Sequence, residues 1–112
     1  MADYLTRFIE KLKESYPNEE YEIHCDTSPL ADRYVAYLAG LGFYGKNDCF
    51  IHPTWGSYVV IGTIMTSLSI EPDQPSTESC LGCNACIRQC LGQCLGGDRF
   101  HYETCKSYLT QK

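Results

Sequence analysis

The most constraining feature of this 112-residue sequence is a run of four cysteines from Cys80 to Cys90, with the spacing C-x2-C-x2-C-x3-C. Bacterial ferredoxins hold iron–sulfur clusters with this spacing. Two-residue gaps let successive thiolates turn inward around one cluster, and Gly82 permits a close backbone approach because it has no Cβ atom. The three-residue gap before Cys90 is typical of the first helical turn. The run therefore predicts an iron–sulfur segment.

Other uses of clustered cysteines are less consistent with this pattern. A zinc-bearing interaction module would use four of the five thiols Cys80, Cys83, Cys86, Cys90 and Cys94. Structural zinc sites, however, usually have two separated C-x2-C pairs or include histidines. A disulfide framework is disfavoured because such close cysteines would close small strained loops and because no signal peptide is present. Six of the eight cysteines lie in the last third of the chain, which favours metal binding.

Composition narrows the function classes further. The length predicts one domain. The net charge of −5 and the pI of about 5.0 argue against a free-standing nucleic-acid binder, which usually has a basic face. No apolar run is long enough to span a bilayer, and the N-terminus lacks the basic and apolar segments of a signal peptide. We therefore expect a cytoplasmic protein without membrane contact.

The hydrophobic pattern predicts an α+β fold, in which a small antiparallel sheet with flanking helices precedes a ferredoxin-like, cysteine-rich helical segment. An amphipathic helix is predicted over residues 3–15, with Asp3 as its N-cap. Pro29 at an early helical position predicts a second helix over 29–40. The three predicted strands lie at residues 20–26, 49–52 and 58–66, and the last two are expected to pair.

The chain divides into three parts by composition. Residues 1–70 form the α+β part, residues 71–79 are a polar, proline-containing linker, and residues 80–112 form a truncated iron–sulfur segment.

The glycine-rich stretch A-G-L-G-F-Y-G-K-N at residues 39–47 has two interpretations. It contains G-x-G-x-x-G, but it follows a predicted helix and not a strand, so it is not a dinucleotide site. In the first interpretation, the glycines provide a helix C-cap and a tight loop. In the second, which fits the sequence equally well, the loop brings backbone N–H groups and Lys46 against a large anionic or amide-bearing ligand.

Three stretches together resemble the epoxyqueuosine reductases and related cobalamin-dependent, double-cluster proteins. They are D-T-S-P-L-A-D-R at residues 26–33, the glycine-rich stretch with the following G-S-Y at 39–58, and the cysteine run with C-K-S-Y-L-T at 80–110. The resemblance extends from about residue 20 to the end of the sequence. It implies reduction of epoxyqueuosine to queuosine in tRNA, with a cobalamin and two [4Fe–4S] clusters in a cytoplasmic enzyme. The implied partners are tRNA and an electron donor such as a flavodoxin or ferredoxin.

The resemblance also implies roles for individual residues. Asp26 matches the aspartate near the cobalamin, which serves as proton donor, although a helix cap is its simplest interpretation. Gly42, Lys46 and Ser57 fall in the part that binds the cofactor. The cluster ligands are Cys80, Cys83 and Cys86 for the first cluster and Cys90 and Cys105 for the second.

The sequence departs from the family pattern at several points. Leu91 follows Cys90 where the family has proline, and Cys94 replaces a small apolar residue. Cys94 is thus either a substitute ligand or a buried thiol. The family's remaining cysteines are expected downstream of residue 112, and its upstream cobalamin-binding part is absent or reduced to the first helix. The chain is thus expected to be a fragment or a reduced relative.

Further candidates are weaker. A stand-alone ferredoxin-like electron carrier is the main alternative function, but such a carrier has no use for Asp26. Cys25 lacks a matching histidine for nucleophilic catalysis and is expected to be a half-buried strand thiol. The three histidines are expected to be surface or packing residues rather than ligands; they are His24, His52 and His101.

Overall fold

The first helix packs its apolar stripe on the larger sheet. In the computed structural model, which describes residues 1–111, helix α1 spans Ala2–Ser15 and buries Ile9. Leu5 lies so close to Gly62 that a Cβ atom there would stand 2.8 Å from the leucine Cδ1 atom. The predicted helix is confirmed, but its N-cap is Met1 and not Asp3. Asp3 lies in the first turn, where a negative charge is favoured by the helix dipole.

The larger sheet joins strands that are far apart in the sequence. Strand β1 (Tyr21–Cys25) pairs antiparallel with strand β4 (Gly62–Thr66), with Tyr21 opposite Thr66 and Cys25 opposite Gly62. The predicted pairing of residues 49–52 with 58–66 is therefore wrong. The residues between these two segments do suit a turn. However, the β-branched strand β4 pairs with β1, and α1 covers the apolar face of both strands.

A second, two-stranded sheet forms from the glycine-rich stretch. Strand β2 (Phe43–Tyr44) pairs antiparallel with strand β3 (Phe50–Ile51). The turn between them is closed by hydrogen bonds from Gly45 N to Cys49 O (2.9 Å) and from Asp48 N to Gly45 O (3.0 Å). The α+β class is confirmed, although the single small sheet that the sequence suggested is in fact two separate sheets.

The second helix is shorter than the helix that the sequence predicted. Helix α2 spans Asp32–Leu38, whereas residues 29–40 were predicted. The Ser28 hydroxyl accepts a hydrogen bond from Leu30 N at 3.0 Å, so this segment forms a local serine turn before the helix begins. Gly40 has a φ of +73°, and the N–H group after it donates back to the helix at 3.1 Å. This closing pattern is a Schellman motif, and it confirms the helix C-cap that was one interpretation of the glycines.

The cysteine-rich part contains only short helices. Within the described residues, no helix or strand occurs between Thr66 and helix α3 (Ala85–Gln89). A 3-10 turn at Tyr102–Thr104 leads into helix α4 (Lys106–Thr110). The predicted linker at 71–79 lies in the irregular part, and the threefold division of the chain stays a prediction.

The chain exposes more surface than a self-contained protein of its mass. The accessible surface is 8743 Å², whereas a compact 12.7 kDa monomer has about 6,200 Å². The radius of gyration is 17.2 Å, against about 13 Å for a compact domain of this length. Buried hydrophobic residues among those described are only four: Ile9, Ala36, Phe50 and Cys94. Much apolar surface is therefore left for contact with other polypeptide.

The substitution Gly42→Ala should destabilise the small sheet. A Cβ atom at Gly42 would lie 2.2 Å from the Ile51 carbonyl oxygen and 2.7 Å from the Phe50 ring. We expect the free energy of unfolding to fall by about 1–3 kcal/mol, as for other overpacked sites, in urea titrations followed by circular dichroism. The control is Gly56→Asn, at an open position with φ +62° that asparagine tolerates. An equal loss of unfolding free energy in Gly42→Ala and Gly56→Asn would contradict the close packing of Gly42 against β3.

Candidate metal centre

The first three cysteines of the run line one cavity. Gly82 (φ +80°) and Asn84 (φ +53°) both have left-handed backbone conformations, which turn the loop around the cavity. Cys80, Cys83 and Cys86 contribute to the wall of this space, whose volume is about 600 Å³. The first cavity, as we call it, therefore collects the three thiols that the sequence assigned to one cluster.

The turn between β2 and β3 holds the cysteine loop in place. The backbone N–H of Lys46 donates to the Cys80 sulfur at 3.2 Å, and the Lys46 ammonium donates to the Asn84 side-chain oxygen at 2.8 Å. On the far side of the loop, the Arg88 guanidinium donates to the Cys83 carbonyl oxygen at 2.7 Å. The cysteine loop is thus fixed from two directions.

A second group of thiols lies farther along the chain. Cys90, Cys94 and Cys105 line a cavity of about 360 Å³, which we call the second cavity. The sulfur atoms of Cys90 and Cys94 are 3.3 Å apart, and Cys94 is only 4% exposed. The structure therefore places Cys94 beside the two cysteines that the resemblance assigned to the second cluster.

Close backbone packing brings Cys105 to the other two thiols. A Cβ atom at Gly92 would lie 2.1 Å from the Thr104 carbonyl oxygen, so only glycine lets these segments touch. The backbone N–H of His101 also donates to the Cys94 carbonyl oxygen at 3.0 Å. The loop from residue 90 to residue 94 is thereby packed against the segment that carries Cys105.

The two neighbouring thiols differ in acidity. Hydrogen bonds from Cys94, first from its backbone and then from its side chain, lower the pKa of Cys90 below the usual thiol value. The pKa of Cys94 is raised to about 11, first by its hydrogen bond with the Cys90 side chain and then by burial. Cys90 is therefore the thiol that ionises first, and Cys94 is the donor that stabilises its thiolate.

The thiols are not grouped around the position of one metal ion. Within residues 1–111, no three His, Cys, Asp or Glu side chains are grouped so that they could hold one metal ion. Zinc–sulfur bonds of about 2.3 Å would bring tetrahedral ligand sulfurs within about 3.8 Å of one another. In a [4Fe–4S] cluster each thiolate binds a different iron, so the ligands stand farther apart. Each cavity has three cysteines among the residues that line it.

Asp26 lies outside both cavities. It follows β1 directly, is exposed, and has a φ of +61°, which is unusual for a residue other than glycine. The Thr27 N–H donates to the Cys25 carbonyl oxygen at 2.7 Å, and this tight turn projects Asp26 beyond the strand end. Cys25 is half-buried in β1, and Asp26 does not cap α2, which begins at Asp32.

The three residues assigned to cofactor binding do not share one cavity. Gly42 is buried against Ile51, and Ser57 lies exposed in the turn after β3. Lys46 lines the first cavity and contacts the cysteine loop. Internal contacts thus account for the glycine and the lysine in this chain.

Sequence reasoning missed Asn84. This residue stands between Cys83 and Cys86 and carries the left-handed conformation that starts α3. Asparagine is one of the few residues that enter this conformation readily. Its position between two predicted ligands is the feature of the sequence that would have identified it.

Comparisons with known proteins place the chain in a family. No family model matches the sequence. The epoxyqueuosine reductase of Listeria monocytogenes is 38% identical over 117 aligned residues, which cover 97% of this chain and 31% of the relative. The epoxyqueuosine reductase structure from Streptococcus thermophilus is also 38% identical, with a TM-score of 0.86, covering 99% of this chain and 30% of that one.

A further solved structure shows epoxyqueuosine reductase with a tRNA-Tyr epoxyqueuosine-modified tRNA stem loop. It is 32% identical to this chain, with a TM-score of 0.78, and the match covers 98% of this chain and 30% of that one. The chain thus has an α+β fold that it shares with about 30% of these longer structures. It is homologous to one part of the epoxyqueuosine reductase family, and the resemblance that its motifs indicated is confirmed.

The chain spans about 30% of the length of the relatives that it matches. Among residues 1–111, the structure has no helix of the length and apolar character needed to cross a bilayer.

The contact at Gly92 predicts that Gly92→Ala will expose Cys94. Because the added Cβ atom would meet a backbone oxygen, the two segments must separate, at a cost of about 1–3 kcal/mol. If the substitution destabilises the closed state by about 1.4 kcal/mol, the locally open state becomes tenfold more populated. We therefore expect iodoacetamide to alkylate Cys94 about tenfold faster, as measured by mass spectrometry.

The matched control is Gly97→Ala, where the added atom would meet only the end of the His101 ring at 3.2 Å. This variant should leave the alkylation rate of Cys94 within about twofold of the original, since a mobile side chain yields at a cost of under about 0.5 kcal/mol. An unchanged rate in Gly92→Ala would show that the 92–104 contact does not protect Cys94.

Proposed function

We propose that this chain is the iron–sulfur segment of a cobalamin-dependent reductase that acts in the modification of tRNA queuosine. The observation that carries the proposal is the first cavity, in which Cys80, Cys83 and Cys86 line a single space in a chain homologous to epoxyqueuosine reductases. The segment would hold [4Fe–4S] clusters and pass electrons from them to the cobalamin.

The first cluster is assigned to the first cavity. Its ligands from this chain are Cys80, Cys83 and Cys86, each of which would bind one iron. The hydrogen bond from Lys46 N to the Cys80 sulfur is of the kind that stabilises a thiolate ligand. A fourth ligand would come from outside this set.

The second cluster is assigned to the second cavity. Its proposed ligands are Cys90, Cys105 and Cys94, because the three line the same space. The Cys90 and Cys94 sulfurs, at 3.3 Å, are closer than two ligands of one cluster, so a ligand role for Cys94 requires the two thiols to separate when the cluster binds.

When bound, the clusters would supply one electron at a time at a potential set by their surroundings. The protein's part is to position the cysteines, to limit water at the cavities and to place charges near them. An external electron donor, such as a flavodoxin or ferredoxin, would approach the exposed side of the cysteine loop, where Leu81 is fully exposed.

The cobalamin is proposed on relatedness alone. Gly42 packs against Ile51 and Lys46 contacts Asn84, so internal contacts explain both residues without a ligand. Ser57 remains exposed and free of such a packing role in the turn after β3. We therefore assign cobalamin binding to the assembled reductase, to which this chain would contribute Ser57.

Asp26 is the proposed proton donor. Reduction of an epoxide to an alkene releases the oxygen as water, so the reaction consumes protons and a general acid assists it. The exposed position of Asp26 at the end of β1 leaves the carboxyl group accessible to a substrate bound over this surface. A surrounding cofactor and substrate would supply the desolvated pocket that keeps a carboxyl group protonated.

The proposed substrate is a tRNA, as in the related complex with a modified stem loop. The net charge of −5 on this chain gives little attraction for phosphates, so basic residues elsewhere in the reductase would bind the RNA. A cytoplasmic location follows from a tRNA substrate and belongs to the same proposal.

The cluster assignment predicts iron binding that depends on the cysteine loop. After anaerobic reconstitution with iron and sulfide, the chain should contain close to four irons for each cluster that it holds and show a reduced-cluster signal in electron paramagnetic resonance. Cys83→Ser should lose the four irons of the first cluster, because one ligand of that cluster is removed. Cys49→Ser removes a thiol that is exposed to a similar degree and should retain the iron.

A chimera distinguishes the proposal from its alternatives. In it, this chain replaces the matching segment of the Listeria monocytogenes reductase, so that the rest of a whole enzyme is present. Iron in the chimera but not in the isolated chain would reject the stand-alone electron carrier. Zinc in place of iron in both proteins, or no metal in the chimera, would contradict the cluster assignment and favour an interaction module.

The role of Asp26 predicts a loss of turnover in the same chimera. Asp26→Asn keeps the size of the side chain but cannot donate the proton, and general acids contribute about 10²–10⁴-fold to rate. We expect queuosine formation in modified tRNA to fall at least a hundredfold, as measured by mass spectrometry of the released nucleosides. Asp3→Asn, in the first helix, should have no effect, and full activity of Asp26→Asn would exclude the proposed role.

A further inference from the structure

We propose that Lys46 is a positioning residue for the first cluster, acting on the cysteine loop through Asn84 and not as a direct cofactor ligand. The inference rests on the proposed function, because it concerns a cluster held by Cys80, Cys83 and Cys86. It assigns two effects to one lysine: the loop geometry is fixed, and the cluster is made easier to reduce.

The geometric part rests on two hydrogen bonds from one residue. Lys46 donates through its backbone N–H to the sulfur of Cys80 at 3.2 Å and through its ammonium group to Asn84 at 2.8 Å. The two acceptors lie at either end of the loop's first turn, 34 and 38 residues away in the sequence. One residue, through its backbone and its side chain, therefore bridges the part of the loop that contains Cys83.

Asn84 is the position where this bridge has most effect. Its φ of 53° and ψ of 20° are left-handed, and the residue is the N-cap of α3. Asparagine caps usually bond to the helix that follows, but the Asn84 side chain makes no cap hydrogen bond. It accepts from Lys46 instead, so the lysine fixes the residue that sets the angle between Cys83 and Cys86.

Lys46 lies in the tightly packed turn between β2 and β3. The β2–β3 turn is closed by hydrogen bonds at Gly45, and a Cβ atom at Gly45 would lie 2.4 Å from the Ile51 side chain and 2.5 Å from the Asn47 side-chain oxygen. Little space is left for this turn to move. The lysine is thus held where its amide and ammonium groups both reach the cysteine loop.

The electrostatic part follows from the same placement. Lys46 lines the first cavity, where Glu78 also contributes a charge of opposite sign, and the Lys46 ammonium group is bonded to Asn84 in the same lining. Reduction adds a negative charge to a cluster, and nearby positive charge and hydrogen bonds to the sulfurs stabilise that form. Lys46 should therefore raise the reduction potential.

The test compares Lys46→Met with Lys11→Met. Methionine keeps the apolar length of lysine without the charge and the donor, and Lys11 is exposed on α1. In the metal-free chain, we expect amide hydrogen exchange of residues 80–86 to rise about fivefold in Lys46→Met, the factor that corresponds to one net hydrogen bond. In the reconstituted chimera, we expect a lower midpoint potential in a redox titration followed by paramagnetic resonance.

The two measurements separate the inference from the proposed function. If the chimera binds no cluster, the proposed function fails, while the exchange measurement still tests the bridge to Asn84. Unchanged exchange in Lys46→Met, or a potential equal to that of Lys11→Met, would overturn the positioning role. A Lys46→Met chimera that loses cobalamin but keeps its potential would instead identify Lys46 as a direct cofactor ligand.

Discussion

The contact between the β2–β3 turn and the cysteine loop joins the two parts of this chain. Lys46 and Cys80 meet across 34 residues of sequence, and the intervening segment has little regular structure of its own. Without this contact, the cysteine loop would be tied to the sheet part only through an irregular segment. Gly45 matters for the turn itself, since a side chain at this position would collide with Ile51 and Asn47.

The buried core of this chain is small, and the chain resembles only one part of a larger enzyme. Its surface is about 40% larger than that of a compact monomer of equal mass, by the estimates of about 6,200 Å² and the observed 8743 Å². Large side chains such as Trp55 and Tyr58 remain mostly in solvent. A surface of this kind is stabilised when it is covered, and the match to about 30% of longer reductases is consistent with such a cover.

The two cavities gather their cysteines in two different ways. The first uses a loop with two left-handed residues, which spreads its thiols around an open space. The second uses the contact between Gly92 and Thr104 to bring Cys105 to a pair of thiols that are near in sequence. The substitution at position 94 adds a third thiol to that cavity, and its hydrogen bond with Cys90 lowers the pKa of Cys90.

The sequence by itself determined the elements whose signals are local. The periodic apolar residues of α1, the glycine that ends α2 and the spacing of the cysteines each depend on neighbours within a few residues, so the first helix, the end of α2 and the cysteine loop could all be predicted. Only the tertiary structure decided which strands pair and that Lys46 contacts Asn84, because these contacts join segments far apart in the chain and no short window of sequence contains both partners. Cys90 and Cys94 are close in sequence, but Cys105 reaches them through the packing of Gly92 against Thr104, which the spacing of the cysteines does not contain.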